Sequence, residues 1–254
     1  MKLDRPVAGG PCWAEVGTPD VEAGRRFYDE LFGWRTETDA RAEMGGYTIA
    51  YVGRLPVAAL VPLGEEPQPV TWFVTFAVAD VDVTVERIKS AGGTVVFEPG
   101  DVPGMGRFAS VADPQGAGFH VWQARGFEGA GLFNEPGSLG WVELMSREPE
   151  RSVDFYTAVF GWSVNASERY TQWGLDGADF GGMVTMDDKF PPEVPPHWLP
   201  YFAVADVDAS AATATEAGGT VLMEPTTVPD SLRIAVLRDP QGAMFGVYLA
   251  GAEH

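Results

Sequence analysis

Two glutamates and one histidine carry the chemical interest of this 254-residue chain. Glu15 and Glu143 each stand two residues after a tryptophan, Trp13 and Trp141, in short runs that read as strands. Strand side chains alternate faces with a period of two, so each carboxylate shares a face with an indole. A carboxylate on such a wall loses water, its pKa rises, and it suits general acid or base work. The alternative is an ion pair with Arg107 or Arg233 on a neighbouring strand, or a place at a wet rim. His120 sits in a later strand-like run and is one of three histidines, with His197 and His254. Its imidazole is a base, a ligand anchor or a satisfied interior group, the last being the preferred reading. A carboxylate with one imidazole holds a divalent ion weakly, because catalytic sites usually have three or more protein ligands. No Gly-rich phosphate loop, Cys-x-x-Cys pair or nucleophile elbow is present.

The elements that must hold these residues are written twice. Trp13-Ala14-Glu15-Val16, Phe27-Tyr28 and Leu31-Phe32-Gly33-Trp34 return as Trp141-Val142-Glu143-Leu144, Phe155-Tyr156 and Val159-Phe160-Gly161-Trp162. Later, Asp80-Val81-Asp82, Gly92-Gly93 and Asp113-Pro114-Gln115-Gly116-Ala117 return as Asp206-Val207-Asp208, Gly218-Gly219 and Asp239-Pro240-Gln241-Gly242-Ala243. A period this long means two homologous domains in tandem rather than a solenoid. The expected boundaries are 8–125 for the first domain, 126–137 for a linker and 138–250 for the second.

Each copy divides again. Helical patterns open at Asp20, near Glu148, at Asp80 and at Asp206, the last two stopping at a Gly-Gly pair. A strand-like run precedes each helix: Cys12 to Gly17, Trp72 to Val78, Trp141 to Met145 and Leu199 to Val204. About three short strands follow each, so the unit is strand, helix and three strands, four times over. Turn formers crowd at 63–69 and in the Pro-rich stretch 190–196, marking links between units. Asp-Pro-Gln-Gly is a turn signature whose aspartate suits backbone amides better than catalysis. Gly104-Met105-Gly106 reads as a mobile loop near a cavity mouth, with Asp230-Ser231-Leu232 in its place in the second copy.

Composition excludes several roles. A 45% hydrophobic and 21% charged chain is that of a globular protein, without an apolar run long enough to span a bilayer. Met1 to Pro6 lacks a signal peptide's apolar core. Cys12, the only cysteine, permits no internal disulfide and suits a cytoplasmic location. A net charge of −19 argues against nucleic acid and anionic membrane as partners.

The helix ending in Phe-Tyr-x-x-x-Phe-Gly-Trp, followed by an Asp-Pro-Gln-Gly strand, resembles the vicinal oxygen chelate superfamily over all four units. That superfamily includes glyoxalase I, bleomycin-resistance proteins and extradiol dioxygenases. The resemblance implies an α+β fold: four βαβββ modules paired into two glyoxalase-like domains. Each is a curved mixed or antiparallel sheet forming an incomplete barrel around a cavity, with helices outside. Whether modules pair within one chain or across a homodimer stays open.

In metal-dependent relatives, ligands come from first and last strands of the modules. The resemblance puts the first-strand seats at Trp13, Phe73, Trp141 and Leu199, none of which binds a cation. It puts the last-strand seats at His120 and Gly246. No metal and no cofactor are therefore expected. Trp13, Phe73, His120 and Trp122 are expected to line the first cavity, with Trp141, Leu199, Tyr201 and Tyr248 in the second. Aromatic walls suit a flat apolar guest, although the same rings are also able to plug the barrels. Phe27-Tyr28, Phe155-Tyr156, Trp34 and Trp162 are expected in the core, the tryptophans packing helix ends against sheet.

The preferred function is metal-independent binding of a planar, hydrophobic aromatic metabolite or drug, in antibiotic resistance or as a biosynthetic accessory. One alternative is a metal-free isomerase, lyase or accessory hydroxylase using Glu15 or Glu143. A second is a metal-dependent lyase or dioxygenase built on His120 and Glu15.

Overall fold

A computed structural model describes residues 7–41, 44–64, 68–167, 170–188, 190–228 and 232–249. Residues 1–6, the middle of the first link (65–67), Asp230-Ser231, the expected domain end at 250 and His254 lie outside them.

The first module runs β1 (Pro11–Thr18), α1 (Val21–Phe32), β2 (Arg35–Thr38), β3 (Thr48–Val52) and β4 (Leu55–Pro62). The second is β5 (Thr71–Ala77), α2 (Val81–Ser90), β6 (Thr94–Val102), β7 (Gly106–Ala112) and β8 (Gly118–Ala124). The third is β9 (Leu139–Ser146), α3 (Pro149–Phe160), β10 (Ser163–Ala166), β11 (Tyr170–Leu175) and β12 (Ala178–Thr185). The fourth is β13 (His197–Val204), α4 (Val207–Glu216), β14 (Thr220–Thr227), β15 (Arg233–Arg238) and β16 (Met244–Leu249). These are the four strand-helix-three-strand units read from the sequence.

Modules pair within the chain. The first sheet has the order β2-β3-β4-β1-β5-β8-β7-β6, and the second repeats it as β10-β11-β12-β9-β13-β16-β15-β14. The two modules of each sheet join through an antiparallel central pair, β1 with β5 and β9 with β13. The outer strands do not pair with each other, so neither sheet closes into a barrel.

Local chemistry explains the boundaries. Asp20, Asp80 and Asp206 cap their helices, each Oδ1 accepting a backbone N–H three residues on. The third helix lacks a side-chain cap from Glu148 and begins at Pro149, which has no N–H to satisfy. Gly33 and Gly161 end α1 and α3 in the left-handed conformation, φ +67° and +75°, which L side chains resist.

The Asp-Pro-Gln-Gly turns reach across the molecule. Asp239 Oδ1 accepts from the amides of Gln241, Gly242 and Ala243 at 2.7–2.9 Å. Its Oδ2 accepts from the buried Tyr28 hydroxyl of α1 at 2.9 Å. Asp113 mirrors this, bonding the amides of Gln115 and Ala117 and the Tyr156 hydroxyl of α3. Gln115 Oε1 accepts from the amides of Arg147 and Glu148, fixing the turn that leads into α3. Gln241 does the same for the Asp20 amide. Each domain thus fastens the first helix of the other. Trp34 and Trp162 join in: their indoles donate to the carbonyls of Gly137, just before the second domain, and of Gly9, at the start of the first. Sheet faces carrying Ala14, Val16, Val74, Phe76, Phe202 and Phe245 bury completely into one core shared by both domains.

Candidate functional site

The opposite face of the first sheet holds a cavity of about 460 Å³. Because β1 alternates, Cys12, Ala14 and Val16 enter the shared core while Trp13 and Glu15 turn to this cavity. The parallel pairing of β5 with β8 sets Thr75 beside His120, and β7 with β8 sets Phe108 beside Trp122. All six side chains line the space. Tyr47, Met44, Val61, Met105, Phe127 and Gly129 complete most of the wall. Phe127 and Gly129 belong to the segment read as a linker; the Phe127 ring stands edge-on to Trp13, centroids 5.0 Å apart. Met105 comes from the expected mouth loop, where Arg41 bonds both its sulfur and the Pro103 carbonyl. Phe73, expected in the wall, instead stacks on His120 at 4.7 Å.

One polar chain crosses this apolar space. The Trp13 indole donates to the Tyr47 hydroxyl at 2.8 Å, and that hydroxyl donates to Glu15 Oε2 at 2.7 Å. On the other oxygen, His120 Nδ1 stands 3.3 Å from Glu15 Oε1. Burial raises the Glu15 pKa, but the hydrogen bond and charge of His120, with the Tyr47 bond, outweigh it. The net direction is below the ordinary carboxylate range, so Glu15 is a fixed anion. This corrects the expectation of a raised pKa for Glu15: its partners outweigh desolvation. Burial, then the Glu15 charge, push the Tyr47 phenol well up, keeping it a donor.

The second domain repeats the relay and seats a tyrosine ring where the first has its histidine. Trp141 donates to the Tyr170 hydroxyl at 2.9 Å, and Tyr170 in turn bonds Glu143. Where the first domain has His120, the second has Gly246, and the Tyr201 ring lies in the vacated volume: a Cβ on Gly246 would fall 2.1 Å from Tyr201 Cδ1. Tyr201 donates to Glu143 Oε2 at 2.9 Å. Leu199, Tyr201 and Tyr248, all at most 4% exposed, cluster with Met145 and Met186, Trp141 packing against them. The Tyr248 hydroxyl is bonded to Asn134. Burial dominates over the tyrosine bonds and lifts the Glu143 pKa above its ordinary 4.5.

The folded state keeps a proton on Glu143 that the unfolded chain releases, so this group costs stability as pH rises above about 4.5. Glu143→Gln carries no such cost. Urea unfolding should find the variant gaining on the native protein from pH 5 to pH 8; a pH-independent difference would contradict the assignment.

Among the described residues neither glutamate pairs with an arginine. Arg107 bonds Asp82 and Asp101, and Arg233 bonds Asp208. Sequence reasoning missed Tyr47, although a tyrosine opens the corresponding run in both copies, at 47 and 170.

The superfamily's metal does not fit these residues. The convergent donors are Glu15 and His120, and both Glu15 oxygens already face protein partners. Apolar rings hold the other seats, and the described residues contain no group of three His, Cys, Asp or Glu placed to hold an ion.

Two segments, 12–121 and 138–247, match the model of the Glyoxalase/Bleomycin resistance protein/Dioxygenase superfamily. The chain is 39% identical over 248 residues to "Putative glyoxylase CFP32" of Mycobacterium tuberculosis, covering 94% of each chain. It is 37% identical over 263 residues to the anthracycline biosynthesis protein DnrV of Streptomyces peucetius, covering 96% of this chain and 94% of that one. The Mn(II)-bound glyoxalase from Novosphingobium aromaticivorans shares the fold at a TM-score of 0.70 and 18% identity, over 99% of this chain and 84% of that one.

Proposed function

From the premise that this chain belongs to the glyoxalase/bleomycin resistance protein/dioxygenase superfamily, we propose that its first domain binds a planar, hydrophobic aromatic small molecule without a metal. The role is biosynthetic accessory or resistance. The observation that carries this is the cavity of about 460 Å³ walled by Trp13, Phe108, Trp122 and Phe127, with one carboxylate–imidazole pair inside. That volume lies in the usual range for small-molecule sites, and mostly apolar walls with a few polar groups are their usual make-up. The relative named for anthracycline biosynthesis supports a planar polycyclic guest.

A second reading, metal-free catalysis, is favoured by the ionised Glu15 beside His120 at the cavity. Glu143 is 8% exposed and bonded by Tyr201, so Glu15 rather than Glu143 is the base this second reading uses. The acidic chain, net −19, supports a small-molecule partner over nucleic acid or anionic membrane. No helix among the described residues is long and apolar enough to cross a membrane, and the lone buried Cys12 favours a cytoplasmic setting.

Titration with anthraquinone, followed by tryptophan fluorescence, tests the binding reading. Saturable quenching is expected, and Trp13→Phe, which keeps an aromatic body, should bind better than Trp13→Ala. Removing the ring with alanine should weaken binding about tenfold or more, as for buried aromatic anchors. Absence of quenching by any planar aromatic probe, with native folding by circular dichroism, overturns it.

A further inference from the structure

Resting on the reading of the first cavity as a ligand site, we propose that Thr75 selects its occupant, an aromatic carbonyl compound whose C=O accepts a hydrogen bond from the Thr75 hydroxyl. Register puts this residue in the middle of the wall. On β5 it pairs with Trp13 of β1 on one side and with His120 of β8 on the other. Its strand neighbours Val74 and Phe76 enter the shared core, so the threonine side chain turns to the cavity that it lines.

Thr75 is 5% exposed, and its hydroxyl has no hydrogen-bond partner among the described residues. Of those residues only Trp173 holds an unpaired side-chain atom that is sealed from solvent, so the Thr75 oxygen opens on the cavity. A buried hydroxyl without a partner calls for a reason. Valine has the same shape and the same liking for a strand without the polar cost, so packing does not explain threonine here. The second sheet has Tyr201 at this seat, and its hydroxyl is spent on Glu143. The indole and phenol donors of the first cavity are spent as well. Trp13 and Tyr47 serve the relay to Glu15, and the Trp122 indole donates to the Phe127 carbonyl at 2.8 Å. A guest that brings an acceptor therefore turns it to the Thr75 O–H, a donor that needs no titration and works whatever proton His120 carries. A site built to bond one polar group discriminates against the analogue that lacks it.

Fluorene and fluorenone, flat probes that differ by a methylene against a carbonyl, test the contact by equilibrium dialysis. In Thr75→Val the affinity for fluorenone relative to fluorene should fall about tenfold from its native value, the size of one hydrogen bond. Comparing the two probes within each protein cancels the difference in their own hydration. Fluorene should bind the valine variant at least as tightly as the native protein, because no hydroxyl is left to desolvate. Thr75→Ser, which keeps the hydroxyl, should keep the native ratio. A ratio unchanged in Thr75→Val overturns the contact and leaves the cavity reading standing, and so does an equal fall in Thr75→Ser. Thr75→Ala also removes the hydroxyl and is read on the same ratio should the valine variant not fold. If neither probe nor anthraquinone binds the native protein, the cavity reading falls and the contact falls with it.

Discussion

Asp239→Ala is expected to lower the unfolding free energy by about 3–5 kcal/mol and the melting temperature by roughly 10 °C. Both carboxylate oxygens of Asp239 are used, and the residue is 3% exposed. Its removal strands the amides of Gln241, Gly242 and Ala243, and leaves the buried Tyr28 hydroxyl without its acceptor. Each buried group left unpaired costs about 1–3 kcal/mol, and the turn amides recover part of theirs from water. The loss falls on the seam between domains, because Tyr28 belongs to α1 of the first domain and also receives the Trp72 indole at 3.0 Å. Asp239→Asn keeps the turn acceptor and disturbs only the Tyr28 bond, so it should cost less than half as much. Thermal and urea unfolding measure both. A loss under about 1 kcal/mol for the alanine variant would show that the turn does not fasten the domains.

The second large effect belongs to Gly246→His, which puts in the second domain the residue that the first domain has. The new side chain meets the Tyr201 ring 2.1 Å from the ideal Cβ position, so the ring must leave a packed core. Overpacking of this kind costs about 1–3 kcal/mol, and more where a buried hydrogen bond breaks as well. Here it breaks one, because moving Tyr201 removes its bond to Glu143. Adding Tyr201→Thr reproduces the Thr75–His120 pairing of the first sheet and should restore much of the lost stability. It should also give Glu143 an imidazole partner and open space beside it, read as a second equivalent of bound anthraquinone. If the single variant is as stable as the native chain, Tyr201 does not depend on the glycine.

The repeat of Trp-x-Glu, Phe-Tyr and Asp-Pro-Gln-Gly established four modules in two domains, since such periodicities are local and each copy corroborates the other. The capping aspartates and the glycines after Phe32 and Phe160 set the helix boundaries for the same reason. Strand alternation put Trp13 and Glu15 on one face, and they share it. The sequence also pointed the Asp-Pro-Gln-Gly aspartate at backbone amides, where it is found. That its other oxygen holds a tyrosine 211 residues away depends on how the sheets dock, which no local pattern encodes.

The state of the two glutamates was the least legible feature. Both sit two residues after a tryptophan, and desolvation acts on both in the same direction. Their pKa values part because His120 reaches one and tyrosines alone reach the other, through strands far apart in the chain. The sequence by itself determined the duplicated architecture and the residue types available to each half. Only the tertiary structure decided that one half keeps a cavity around a glutamate and a histidine while in the other a tyrosine ring takes the histidine's seat. The physical reason is volume: a histidine at one seat holds its neighbour space open to a partner, whereas a glycine there admits a ring from the adjacent strand.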